Sequence, residues 1–328
     1  QSPGKPHEVA GLWGLVGLSR QALNDEEAAR AAFKKAISVA PEPEQATYRR
    51  YLAELAANVA NRLVTRVETR ARISEEERLQ TLREAAGWLR RGLEMMPGDE
   101  TLASSLARTR SGLWAAYGQR STTLVQRGEF QGARRLMREA LADEDLPPDR
   151  REVFEDLMAT SCTGEIGHLT AHAVRIMEEE RQAEALDALR QAEGLLGDIR
   201  EDRLPQAKRD EIRRRLWWGY TKLGLSRMES EAFETAVEPL LHALRIGPPD
   251  AERERQTRLA ALQALEGAAD GHAAAIGQLA GAGKREAAVS KGEHLRALIR
   301  EALEVGLTEE ELARTREAVQ QIEHGGGR

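Results

Sequence analysis

The prolines set the grain of this chain. Apart from Pro3 and Pro6 near the start, they stand at 41 and 43, at 97, at 147 and 148, at 205, and at 248 and 249; only Pro239 falls inside a helical pattern. Proline lacks the N–H that a helical turn needs and clashes with the turn before it, so each of these positions stops a helix. The stretches between stops run from 43 to 58 residues. That is too long for one ordinary helix and suits two helices joined by a tight turn. Turn signals fall near the middle of several stretches, at Asn24-Asp25, Ile73-Ser74, Gly128-Glu129 and Glu229-Ser230. Each stretch therefore reads as a helical hairpin, and repetition at this period is the sign of a solenoid.

Composition closes off the alternatives. Thirteen valines and ten isoleucines among 328 residues are too few to furnish a sheet. Charged residues make up 31% of the chain, and no uncharged run approaches the roughly 18 residues of a membrane helix. Membrane spans, β-sandwiches and α/β enzymes are thereby excluded, and the core must be built from Ala and Leu. The net charge of −6 comes from 48 basic and 54 acidic residues mixed along the chain, the pattern of solvated helix faces rather than of a nucleic-acid binder. A single Cys162 leaves no internal disulfide and no Cys-rich metal site. Lysines number only 7 of the 48 basic residues, which points to a GC-rich, bacterial genome. Residues 9–19 are apolar enough for a signal-peptide core, but no small-x-small cleavage site follows them, and they read better as a first helix. The cytoplasm is the expected compartment, with the periplasm left open by a start at Gln1 rather than Met.

The repetition is residue-specific. Trp13, Val16, Gly17, Ala29, Phe33, Ala36 and Pro41 recur as Tyr220, Leu223, Gly224, Ala236, Leu240, Ala243 and Pro248, at a constant offset of 207. The second half of the pattern appears three times between them: Ala85, Leu89, Gly92, Pro97; then Ala133, Met137, Ala140; then Ala185, Leu189, Ala192. The small residues let the helices of a hairpin approach closely, and the large one fills the space between hairpins. Gly17 and Gly224 are expected at the closest approach of their units.

These spacings resemble the tetratricopeptide repeat, a helix-turn-helix unit of 34 residues. Residues 10–43 and 217–250 match over the whole unit. The three middle units match in their second helices only, their first helices being longer, at roughly 44–70, 101–126 and 149–179. The expected fold is all-α: an α-solenoid of about six helical hairpins over residues 9–306, after a tail at 1–8. The sixth hairpin is the divergent pair 251–280 and 284–305. A capping helix, 307–323, opens with Thr308-Glu309-Glu310-Glu311, a capping-box start, and a tail follows at 324–328. The resemblance implies a scaffold that binds a peptide or protein on a concave face lined by the first helices. The clamp that some members use for acidic C-terminal tails is not expected, because Gly14 and Leu18 stand where Lys and Asn would be needed.

Few residues invite chemistry. His168 and His172 are four apart on one helix, with Glu165 a turn earlier and Cys162 beyond, a spacing that can hold a metal; a polar face that happens to carry two histidines is the simpler reading. His272 sits in the apolar stripe Leu265, Ala269, Ile276, Leu279 and is expected to be a hydrogen-bonded core residue. Gly281-Ala282-Gly283-Lys284 fails as a phosphate loop, since its glycine spacing is wrong and Arg285 replaces the metal-binding Ser or Thr. Arg62, Arg66 and Arg70, and the run Arg213–Arg215 beside Trp217 and Trp218, could contact nucleic acid; paired with Glu68 and Glu211 they are solvated stripes. The tryptophans, mostly at repeat positions, are expected in the core. No catalytic set or cofactor fingerprint appears, so neither an enzyme nor a cofactor is expected.

The functional expectation rests on the long first helices. Opposite their apolar stripes lie small or neutral polar residues: Asn58, Asn61 and Thr65; then Ser104, Arg108, Ser111, Ala115 and Thr122; then Ser161, Gly164, His168, Ala171 and Arg175. Helical spacing puts each set on one face. Such rows suit a groove that hydrogen-bonds an extended peptide or receives a helix. The expected function is a non-catalytic adaptor that binds a protein or peptide there. The alternative is a structural or regulatory subunit that docks through its outer surface or ends.

Overall fold

The computed structural model describes residues 5–281 and 285–325. Among them the chain is all-α, with thirteen α-helices, one short 3-10 turn and no strand. The helices are α1 (Pro6–Ala22), α2 (Glu26–Val39), α3 (Glu42–Thr69), α4 (Glu75–Met95), α5 (Glu100–Gln126), α6 (Phe130–Leu141), α7 (Pro148–Glu178), α8 (Gln182–Gly197), α9 (Gln206–Glu229), α10 (Phe233–Ile246), α11 (Ala251–Gly281), α12 (Arg285–Glu304) and α13 (Ala313–Gly325). They make six hairpins and a terminal helix. The long first helices of the middle hairpins are as the sequence predicts.

Two compact units divide the chain, Gln1–Leu157 and Met158–Arg328. In the first, each helix from α1 to α5 packs on the next in sequence. Phe33, Leu55, Ala56, Trp88 and Leu89 form one of its cores. In the second, the C-terminal part of α7 supplies Ala159, Cys162, Ile166 and Ala173 to a core shared with α8 and α9. Helices α10, α11 and α12 then build a further core with Leu312 and Val319.

Four of the hairpin turns share one chemistry. Asn24, Gly128, Glu180 and Glu231 take left-handed φ values of 55°, 77°, 61° and 57°. The N–H one residue later bonds back five residues, as Asp25 to Arg20, Glu129 to Leu124, Arg181 to Ile176 and Ala232 to Arg227. This is the Schellman closure of a helix C-terminus. Asn24 and Glu231 are 207 apart, so the turn obeys the same offset as the helices.

Close approach explains the small residues. A Cβ built on Gly17 would lie 2.5 Å from Phe33 Cε1, and one on Gly224 would lie 2.5 Å from Leu240 Cγ. Both glycines stand where the repeat alignment places them, each against the large residue of its own second helix. The alignment misses Gly267, whose Cβ would lie 2.5 Å from the Phe233 ring.

The cap differs in its first turn. Regular helix starts at Ala313, not at 307. The capping box is nonetheless formed: Thr308 N–H donates to Glu311 Oε2 at 2.7 Å, and Glu311 N–H donates to Thr308 Oγ1 at 3.2 Å. Residues 309–312 form a tight turn between box and helix. Of the phosphate-loop-like stretch, residues 282–284 lie outside the described residues.

Candidate functional site

Helix α1 is packed inside out. The residues it buries are Ala10, Gly14 and Gly17. Tyr48 fills the space at Gly14 and Phe33 that at Gly17. Its large apolar side chains point outward: Leu12 is 65% exposed, Leu15 62% and Trp13 37%, with Val16 and Leu18 also exposed. Trp13 is therefore not a core residue, and neither is Trp218. The repeat offset supplies the reason. The counterparts of Leu12, Trp13 and Val16 are Gly219, Tyr220 and Leu223 on α9, all buried. There α8 covers them: Leu189 touches the space at Gly219, and Tyr220 donates its hydroxyl to Glu193 at 2.8 Å. No described helix covers the same face of α1.

The predicted polar rows are only partly open. Asn58, Asn61 and Thr65 on α3, and Ser104, Arg108 and Ser111 on α5, are all exposed. Among the described residues none of these six side chains has a hydrogen-bond or ion-pair partner. Ala115 and Thr122 are exposed as well, Thr122 bonding back to the Gly118 carbonyl. On α7 the row breaks. Ser161 is 0% exposed and its neighbour Cys162 is buried too. Two adjacent buried positions mean that the covered arc spans at least about 100°, so the small Ser161 is a packing residue, not a groove residue. His168, Ala171 and Arg175 remain exposed, with the Arg175 guanidinium 2.9 Å from His172 Nδ1.

The arginine stripe on α3 is consumed within the fold. Arg62 donates to Asn24 Oδ1 at 2.7 Å and pairs with Glu26 on α2. Arg66 and Arg70 both pair with Glu77 on α4, rather than with Glu68. On α9, Arg215 pairs with Glu211. Arg62, Arg66 and Arg70 thus tie neighbouring helices and turns together, while the Arg215 pair lies within α9.

Sequence reasoning missed a strongly charged cavity of about 470 Å³ in the first unit, lined by Arg83, Arg90, Arg110, Trp114, Tyr117 and Asp143 among others. The buried Arg110 pairs with Asp143 and Asp145, and Trp114 Nε1 donates to Asp143 at 3.0 Å. Burial opposes both charges. The hydrogen bonds that Arg110 donates to Asp145 and Asp143 nevertheless hold its pKa above the usual value, and those that Asp143 accepts from Arg110 and Trp114 hold Asp143 below its own. Arg83 donates to Tyr117 Oη at 3.0 Å and pairs with Glu139. The cluster fastens α5 to the connection after α6. Its one sequence signal is the acidic run Asp143-Glu144-Asp145 ahead of Pro147.

The histidines fall differently from expectation. Among the described residues, His168, His172, Glu165 and Cys162 do not converge as a group of three ligands. His272 is buried at 2% exposure as foreseen, yet both of its ring nitrogens lack a hydrogen-bond partner. No described helix is long and apolar enough to cross a membrane.

No family model and no curated protein matches the chain. Among solved structures it is similar to a chain from "Computational Design of Self-Assembling Cyclic Protein Homooligomers", at 14% identity, covering 86% of this chain and 94% of that one. The TM-score of 0.19 is too low for the likeness to carry an argument.

Proposed function

We propose that this chain is a non-catalytic scaffold that binds a partner protein, and that a helix of the partner docks on the outward face of α1. The observation that carries the proposal is the exposed set Leu12, Trp13, Leu15, Val16 and Leu18. Contiguous apolar surface of this kind marks an interaction site. The occupant follows from the internal comparison: the same face of α9 is filled by α8, which presents Ala185, Leu189 and Ala192. A partner helix with alternating small and large residues suits α1, with a small residue opposite Leu12, because Leu12 stands where α9 has Gly219. Of the two modes foreseen, this is docking through an outer surface.

The uncommitted residues of α3 and α5 favour a second reading, an extended peptide held by Asn58, Asn61, Thr65, Ser104, Arg108 and Ser111. Three baits separate the two: the parent chain, Leu12→Gln with Leu15→Gln, and Asn61→Ala with Arg108→Ala. Both variants change exposed residues and should melt within about 0.5 kcal/mol of the parent. A protein captured by the parent from the source organism is purified and titrated against all three. The α1 reading predicts binding at least about tenfold weaker for the leucine variant only, each tenfold being about 1.4 kcal/mol. Loss with Asn61→Ala and Arg108→Ala alone would support the peptide groove instead, and parent-like binding by both variants would reject both surfaces.

A further inference from the structure

Three residues that sequence spacing keeps apart meet in the second unit. Glu234 lies in the first turn of α10, His272 in the middle of α11 and His294 in α12. The close fit of Phe233 over the Gly267 backbone seats the start of α10 on α11, which brings Glu234 beside His272 one turn further on. Packing of α12 on α11 adds His294. Glu234 Oε1 is 3.6 Å from His272 Nε2 and 3.4 Å from His294 Nε2. One ligand atom from each of the three lies within 4.8 Å of the other two.

These are the spacings of a coordination shell. Ligand atoms 2.0–2.2 Å from a tetrahedral ion stand about 3.3–3.6 Å from one another. Two of the three edges are already at that length. The distances from Glu234 are long for hydrogen bonds, and neither nitrogen of the buried His272 has a hydrogen-bond partner. A buried polar group left unmatched is costly and marks a place where something is held. Glu234 and His294 are exposed, which opens the site to solvent, while Lys291 stands near enough to act on His272 electrostatically.

We propose that Glu234, His272 and His294 bind one divalent transition-metal ion of the zinc type, each giving one ligand atom and leaving the fourth position to water. Two imidazoles and one carboxylate suit zinc and its neighbours rather than magnesium or calcium, which take oxygen ligands. The ion pins α10, α11 and α12 together, and its open position is accessible from outside. This site is separate from the α1 surface and stands or falls independently of it.

The test uses the full chain without a histidine tag, stripped by a chelator and titrated calorimetrically with zinc chloride. The expected result is one zinc per folded chain, accompanied by a rise in melting temperature. His294→Ala and Glu234→Gln alter exposed side chains, so each should keep the parent's helical spectrum while binding zinc at least about tenfold more weakly. His168→Ala serves as the control and should bind as the parent does. A folded parent that takes up no zinc, or uptake that survives either His294→Ala or Glu234→Gln, would overturn the assignment. So would uptake lost with His168→Ala, which would place the ion on α7.

Discussion

At the scale of single residues the account turns on what a methyl group would meet. Gly17 and Gly224 sit inside helices, where alanine is intrinsically preferred by about 1 kcal/mol. The space a Cβ needs is already held by Phe33 and by Leu240, both fully buried and unable to step aside. Gly17→Ala and Gly224→Ala should therefore destabilise, by about 1–3 kcal/mol in denaturant melts, packing strain outweighing propensity. Gly167, in the middle of α7, has nothing within 4 Å of its would-be Cβ. There the same substitution should stabilise by about 0.5–1 kcal/mol. Opposite signs at chemically identical changes are the signature of the packing argument; equal signs would undo it.

At the scale of elements, junctions between helices are held by paired charges, and one of these is at the cap. Glu311 accepts from Arg258 Nη2 of α11 at 2.8 Å and from the Thr308 N–H, which holds its pKa down to about 2. A carboxyl whose folded pKa lies below its unfolded value near 4.3 stabilises the fold fully above that value. The contribution is lost as pH falls from there through about 2. Glu311→Gln should accordingly melt lower than the parent at neutral pH. The gap should close progressively between about pH 4.5 and 2. A gap that stays constant with pH would show that the carboxylate charge contributes nothing. The elements themselves were legible in the sequence because what ends them is local: proline stops, left-handed turn residues, and a capping box read from four consecutive letters. The cap helix begins later than that box suggests because residues 309–312 form a tight turn before regular helix resumes.

At the scale of the whole chain, helices pack chiefly on their neighbours in sequence, so stability should be modular and unfolding spread rather than all-or-none. This locality also decides what sequence could reveal. Gly17 against Phe33 is a contact within one hairpin and follows from spacing. Whether Trp13 is covered depends on whether another helix lies over α1, which no spacing within α1 records. Ser161 was misread because a 31-residue helix is buried over a wider arc at some levels than at others. The pairing of Arg110 with Asp143 joins residues 33 apart, and Glu234 and His294 are 60 apart; only the assembled hairpins bring them together. The claim that the outward face of α1 receives a partner helix is tested most directly by hydrogen exchange on the complex with the captured protein. The account predicts slowed exchange along α1, over residues 10–23, with α3 and α5 unchanged. Unaltered exchange along α1, with the slowing elsewhere in the chain, would contradict it.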